Sequence, residues 1–123
     1  VDDHARALEL VVSQGEAGQT YCIGGDAERT NLQVVQAICD RLDAIRPADS
    51  NRADQIRFVT DRPGHDQRYA IDASPIKAKL GWSPSVSFED GLAATLDWYL
   101  AHEDWWRPIL ENNYQGERLG LSA

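Results

Sequence analysis

The densest run of groups able to do chemistry is Asp61-Arg62-Pro63-Gly64-His65-Asp66-Gln67-Arg68-Tyr69, where two guanidiniums, an imidazole and two carboxylates surround a Pro-Gly pair. Pro63 presets the φ wanted at the second position of a tight turn, and Gly64 supplies the positive φ that a type II turn needs at the third. A glycine there also lets a ligand approach the backbone closely. Arg62 and Arg68 carry planar forks suited to phosphate or carboxylate, and His65 can donate or accept near neutral pH. Arg62, His65 and Arg68 could together form a local positive pocket for a small anion. The competing reading is a surface β-turn whose charges are solvated. His65 with Asp61 or Asp66 could make an acid–base pair, but no activated nucleophile stands beside it.

These residues need elements to position them. Gln55-Ile56-Arg57-Phe58-Val59 alternates as a strand should and delivers the chain into the turn, and Tyr69-Ala70-Ile71-Asp72 reads as a short strand leaving it. Upstream, a helix capped by Asp2 or Asp3 carries Ala5, Leu8, Val11 and Val12 on one face and ends at Gly15 and Gly18. Thr20-Tyr21-Cys22-Ile23 then reads as a buried strand stopped by Gly24-Gly25. In open α/β sheets ligands sit beyond the carboxyl ends of strands, so the loop from Gly24 to Asn31 is a candidate site wall. Thr30 and Gln33 form a capping box for a helix with the stripe Leu32, Val35, Ile38, Cys39, Leu42 and Ile45, and Asn31 lies in its first turn. Asn31 is either a ligand contact or a helix-start residue serving the backbone. Ser74-Pro75 begin a helix closed by Gly81, in which Ile76 and Leu80 share a face, and Ser87 caps a longer one burying Phe88, Leu92, Leu96, Tyr99 and Leu100. This alternation predicts an α/β fold in a single domain over residues 1–123.

Composition narrows the function classes. A formal charge of −8 argues against an extended nucleic-acid surface, while 42% hydrophobic and 26% charged residues are ordinary for a globular chain of 123 residues. No apolar run approaches the roughly 20 residues of a membrane helix, and no basic-then-apolar leader opens the sequence, which points to a cytoplasmic protein with no membrane partner. Cys22 and Cys39 match no metal or redox spacing and read as core thiols. The sequence contains no Gly-x-Gly-x-x-Gly loop, Gly-Lys-Ser/Thr phosphate loop or Gly-x-Ser-x-Gly elbow. Trp82, Trp98, Trp105 and Trp106 read as packing or interface residues, and His102 as a surface residue.

Val1-Asp2-Asp3-His4-Ala5-Arg6-Ala7, Ile23-Gly24-Gly25, the whole of Asp61–Asp72, Leu80-Gly81-Trp82, Trp98-Tyr99-Leu100 and Tyr114–Gly120 together resemble, in order, the C-terminal part of nucleotide-sugar 4,6-dehydratases. These belong to the extended short-chain dehydrogenases, in which an Arg-Pro-Gly turn and a later Leu-Gly-Trp are common. The continuation His65-Asp66-x-Arg68-Tyr69 favours a dehydratase over an epimerase or decarboxylase. The resemblance implies the C-terminal substrate-binding portion of a Rossmann-type fold, with NAD held by an N-terminal domain absent from this sequence. It implies dTDP-glucose or a related nucleotide sugar as ligand, and a homodimeric parent. Carried over by motif, Asn31, Asp61, Arg62, Pro63, Gly64 and His65 match positions that contact the nucleotide or its diphosphate. The family's Tyr-x-x-x-Lys and acid–base pairs have no counterpart, so no catalytic residue is expected here and the chain alone should be inactive. A UDP-sugar epimerase or decarboxylase, and a non-catalytic α/β module binding a partner through its Trp-rich helices, remain the alternatives. The abrupt helical start reads as a cut from something longer.

Overall fold

The computed structural model describes residues 1–113, so the resembling stretch Tyr114–Gly120 lies outside them. The elements are α1 (Asp2–Gln14), α2 (Asn31–Ile45), a 3₁₀ turn (Arg52–Gln55), α3 (Ser74–Leu80), α4 (Phe88–Ala101) and α5 (Glu103–Asn113). They fall into two units. One joins Val1–Arg29 to Arg68–Gly91, and the other joins Thr30–Gln67 to the described residues from Leu92 onward.

The first unit is built on α1 and α3. Ala7, Ala73, Ile76 and Trp82 form its buried core, with Leu10, Val11, Tyr21, Ile23 and Leu80 packed against it. The inward face of α1 is therefore Ala7, Leu10 and Val11, an i, i+3, i+4 set. Leu8 and Val12, which the periodicity placed on that face, are exposed. Ile76 and Leu80 share the inner face of α3 as expected. Gly81 ends that helix at φ 65°, a left-handed conformation that a Cβ would strain. Its Leu-Gly-Trp continuation then drops Trp82, 4% exposed, into the core, where Nε1–H donates to the Asp3 carbonyl at 3.1 Å.

Asp3 does not cap α1, as its position suggested; Val1 is the N-cap and makes no side-chain cap bond. Instead the Asp3 carboxylate accepts from the Ser85 hydroxyl at 2.7 Å, from the Ser85 and Val86 amides at 3.0 and 3.1 Å, and from Arg6. These donors, led by the Ser85 hydroxyl and Arg6, hold its carboxyl well below the ordinary range. A depressed folded-state pKa contributes stability that is present above the unfolded value near ~3.9 and lost as the pH falls toward the folded value. The first unit should therefore loosen below about pH 4. Asp3→Asn should lower the melting temperature at neutral pH and flatten that acid dependence, as read by thermal melts from pH 2 to 7.

In the second unit, the Thr30 hydroxyl accepts the Gln33 amide at 3.2 Å and the Gln33 side chain accepts the Thr30 amide at 2.8 Å, the predicted capping box. Cys39 is buried on α2, with Ile38 and Leu42 half-buried, whereas Leu32, Val35 and Ile45 at the edges of the stripe are exposed. Arg41 of α2 pairs with Asp97 of α4 at 2.9 Å, and Arg46 reaches Glu103 of α5 at 3.2 Å. Arg107 and Arg46 together draw the Glu103 carboxyl below its usual range.

Among the described residues no strand forms, so the α/β expectation is not confirmed for this stretch of chain. Residues 20–23, 55–59 and 69–72 carry strand-like alternation, but a strand is defined by its ladder, and short segments without continuous neighbours are marginal in water. Tyr21 and Ile23 pack against the core of the first unit, whereas Phe58, Val59, Tyr69 and Ile71 are exposed. Cys22 is likewise exposed rather than in the core, while Cys39 is buried as expected. The long C-terminal helix is interrupted at His102, which separates α4 from α5.

Candidate functional site

Every residue from Asp61 to Ala70 is exposed. The turn has the geometry its sequence demands, with Gly64 at φ 70° after Pro63 and open space where a Cβ would stand. It brings Asp61 and His65 together. The imidazole Nδ1 lies 2.8 and 3.0 Å from the two Asp61 carboxylate oxygens, and the Arg62 amide donates to the nearer one at 2.8 Å.

Arg62 differs from the other described arginines. Arg6, Arg29, Arg41, Arg46, Arg52, Arg68 and Arg107 each pair with a carboxylate, and Arg57 donates to the Asp54 and Ile56 carbonyls. The Arg62 guanidinium has no hydrogen bond or ion pair among the described residues. An exposed cation beside an open turn, with its donors unspent, is suited to bind an anion.

Arg68 belongs to the first unit, where Nε and Nη2 both donate to Glu28 Oε2, at 2.9 and 2.5 Å. Glu28 was not singled out by sequence reasoning, since a pair forty residues apart leaves no local signal. Asn31 is the exposed first residue of α2, and it makes no hydrogen bond to the turn among the described residues. The loop after Gly25 is tied down within the first unit, because Arg29 pairs with Glu89 at 2.8 Å and lies 5.4 Å from the Phe88 ring centroid. That guanidinium holds the Glu89 carboxyl below its ordinary range.

A second feature escaped the sequence. Tyr99, Leu100, Trp105, Trp106, Ile109 and Leu110 line an apolar groove of about 390 Å³ in the second unit. Its pattern straddles the break at His102, which stacks on Trp98 at 4.6 Å and whose Nδ1 lies 2.8 Å from the Trp98 carbonyl oxygen. A helical period read straight through that break goes out of phase.

Residues 1–95 match the family model described as GDP-mannose 4,6 dehydratase. The chain belongs to that family of nucleotide-sugar dehydratases. Within it, the chain is 51% identical to a dTDP-glucose 4,6-dehydratase of Xanthomonas campestris pv. campestris, over all of this chain and 36% of that protein. It is 53% identical to one from Escherichia coli, over 98% of this chain and 34% of that protein. The chain thus spans about a third of the length of these relatives. Among solved structures, a dTDP-glucose 4,6-dehydratase from Bacillus anthracis in complex with NAD superposes with a TM-score of 0.76 at 40% identity, covering 88% of this chain and 32% of that one. One from Streptomyces venezuelae with NAD and dTDP bound gives 0.77 at 42% identity, covering 88% and 31%.

The residues described here do not fit NAD. Gly24, in the glycine pair that ends residues 20–23, packs against Ile71, which would lie 3.4 Å from an added Cβ. α2 begins on a capping box and not on a glycine-rich turn of the kind that cradles a pyrophosphate. No catalytic step is assigned to that cofactor on these residues. Among the described residues no helix is long and apolar enough to cross a membrane.

Proposed function

We propose that this chain is the nucleotide-sugar-binding part of a dTDP-glucose 4,6-dehydratase. The whole protein would be a cytoplasmic, homodimeric lyase that converts dTDP-glucose to dTDP-4-keto-6-deoxyglucose with loss of water, using NAD held by residues outside this chain in a Rossmann-type domain. The observation that carries the reading is the Arg62 guanidinium beside the Pro63–Gly64 turn, which has no hydrogen bond or ion pair among the described residues, in a chain about half identical to such enzymes along its whole length. Arg62 takes the diphosphate, His65 takes a further group of the nucleotide sugar, and Gly64 leaves room for the ligand to lie against the backbone. Asn31 and Asp61 complete the proposed site, which holds the substrate and transfers no hydride or proton of the reaction.

Calorimetric titration of the purified chain with dTDP, UDP and GDP tests this. Saturable binding with dTDP preferred supports the reading. Preference for UDP would favour a UDP-sugar epimerase or decarboxylase, and no binding of any diphosphate would return the turn to a solvated surface feature. Incubation with NAD and dTDP-glucose should yield no 4-keto-6-deoxy product, because binding residues alone cannot supply hydride chemistry.

A further inference from the structure

We propose that Asp61 is a positioning residue, whose carboxylate fixes the His65 imidazole with its proton on Nδ1 so that Nε2 accepts a hydrogen bond from the bound nucleotide sugar. This rests on the turn being the nucleotide-sugar site. The Pro63–Gly64 reversal, with Gly64 at φ 70°, folds residue 65 back onto residue 61 and sets Nδ1 2.8 and 3.0 Å from the two carboxylate oxygens. An ionised carboxylate can only accept, so Nδ1 must carry the hydrogen, and in the neutral ring Nε2 keeps its lone pair. Nε2 has no partner among the described residues. The same carboxylate also takes the Arg62 amide at 2.8 Å, which anchors it from the backbone side. A carboxylate would repel a diphosphate placed against it. Asp61 therefore acts on the ligand through the imidazole, and the ligand group that Nε2 meets is an O–H or N–H donor, on the nucleotide or on the hexose.

Two measurements on the chain test this. Two-bond ¹⁵N–¹H NMR of the His65 ring at about pH 8 should find the proton on Nδ1 in wild type and on Nε2 in Asp61→Asn, whose amide can donate to Nδ1. Calorimetric titration of dTDP and of dTDP-glucose into wild type, Asp61→Asn, His65→Ala and the double variant forms a cycle. Asp61→Asn should weaken binding roughly three- to tenfold in the wild-type background and cause no further loss once His65 is alanine. A loss seen with both ligands puts the donor on the nucleotide, and one seen only with dTDP-glucose puts it on the hexose. Additive losses, or a wild-type proton on Nε2, overturn the positioning role. If Arg62→Ala and His65→Ala both leave dTDP affinity unchanged, the site reading fails and this proposal with it. That outcome is recognisable because the ring proton would still follow Asp61.

Discussion

Arg62→Ala is expected to weaken dTDP binding roughly ten- to a hundredfold while leaving the melting temperature nearly unchanged, since a hydrogen bond to a charged group contributes about 1.5–3 kcal/mol and 1.4 kcal/mol is a factor of ten. The separation of the two readouts follows from the structure. The guanidinium is exposed and makes no contact that the fold would lose, having neither hydrogen bond nor ion pair among the described residues. Arg62→Lys should recover only part of the affinity, because an ammonium cannot reproduce the two-pronged geometry of the fork on phosphate oxygens. Affinity that survives Arg62→Ala while the melting temperature falls would mark the arginine as a structural part of the turn. Raising the salt should weaken wild-type binding more than that of Arg62→Ala, since the exposed charge on which the difference depends is screened.

The second large effect is on folding. Trp82→Ala should destabilise the first unit by roughly 3–5 kcal/mol, the range for truncating a buried large aromatic. Trp82 is 4% exposed in a core of four buried residues among the described ones, and two of these, Ala7 and Ile76, are completely covered, so little else can close over the cavity. Truncation also strips the Asp3 carbonyl of its indole donor, which sits 3.1 Å away. Trp82→Phe keeps one aromatic ring but loses that donor and part of the buried indole, and should cost more than the about 1 kcal/mol of a typical hydrogen bond yet less than Trp82→Ala. Thermal and denaturant melts of both variants decide the matter. Equal losses would mean that the hydrogen bond rather than the buried ring dominates, and no loss in either would deny Trp82 its place in the core.

Local chemistry was legible in the sequence wherever one or two residues suffice to dictate a conformation. Pro63-Gly64 sets the turn, Thr30 with Gln33 sets the start of α2, Ser87 accepts the Asp90 amide at 3.0 Å at the start of α4, and Gly81 ends α3. Each is a contact within a few residues, so spacing alone encodes it. The ordered motifs around the turn were also enough to point to the nucleotide-sugar dehydratases, because they record the family directly.

Tertiary structure decided what depends on residues far apart in the chain. Periodicity marks an apolar face on α1 but not which edge of it will be covered; packing against α3 and Trp82 chose Ala7, Leu10 and Val11 over Leu8 and Val12. Asp3 read as a cap because its position in the helix allowed it, yet Ser85 and Val86, some eighty residues away, offered three hydrogen-bond donors that outcompeted the local bond. Arg68 and Arg62 are the same residue type on either side of one turn, and only the folded chain assigns the first to Glu28 and leaves the second without an ion pair among the described residues. The strand-like segments form no ladder among the described residues for a related reason: alternation specifies a side-chain pattern, whereas a strand exists only when a neighbouring backbone completes its hydrogen bonds.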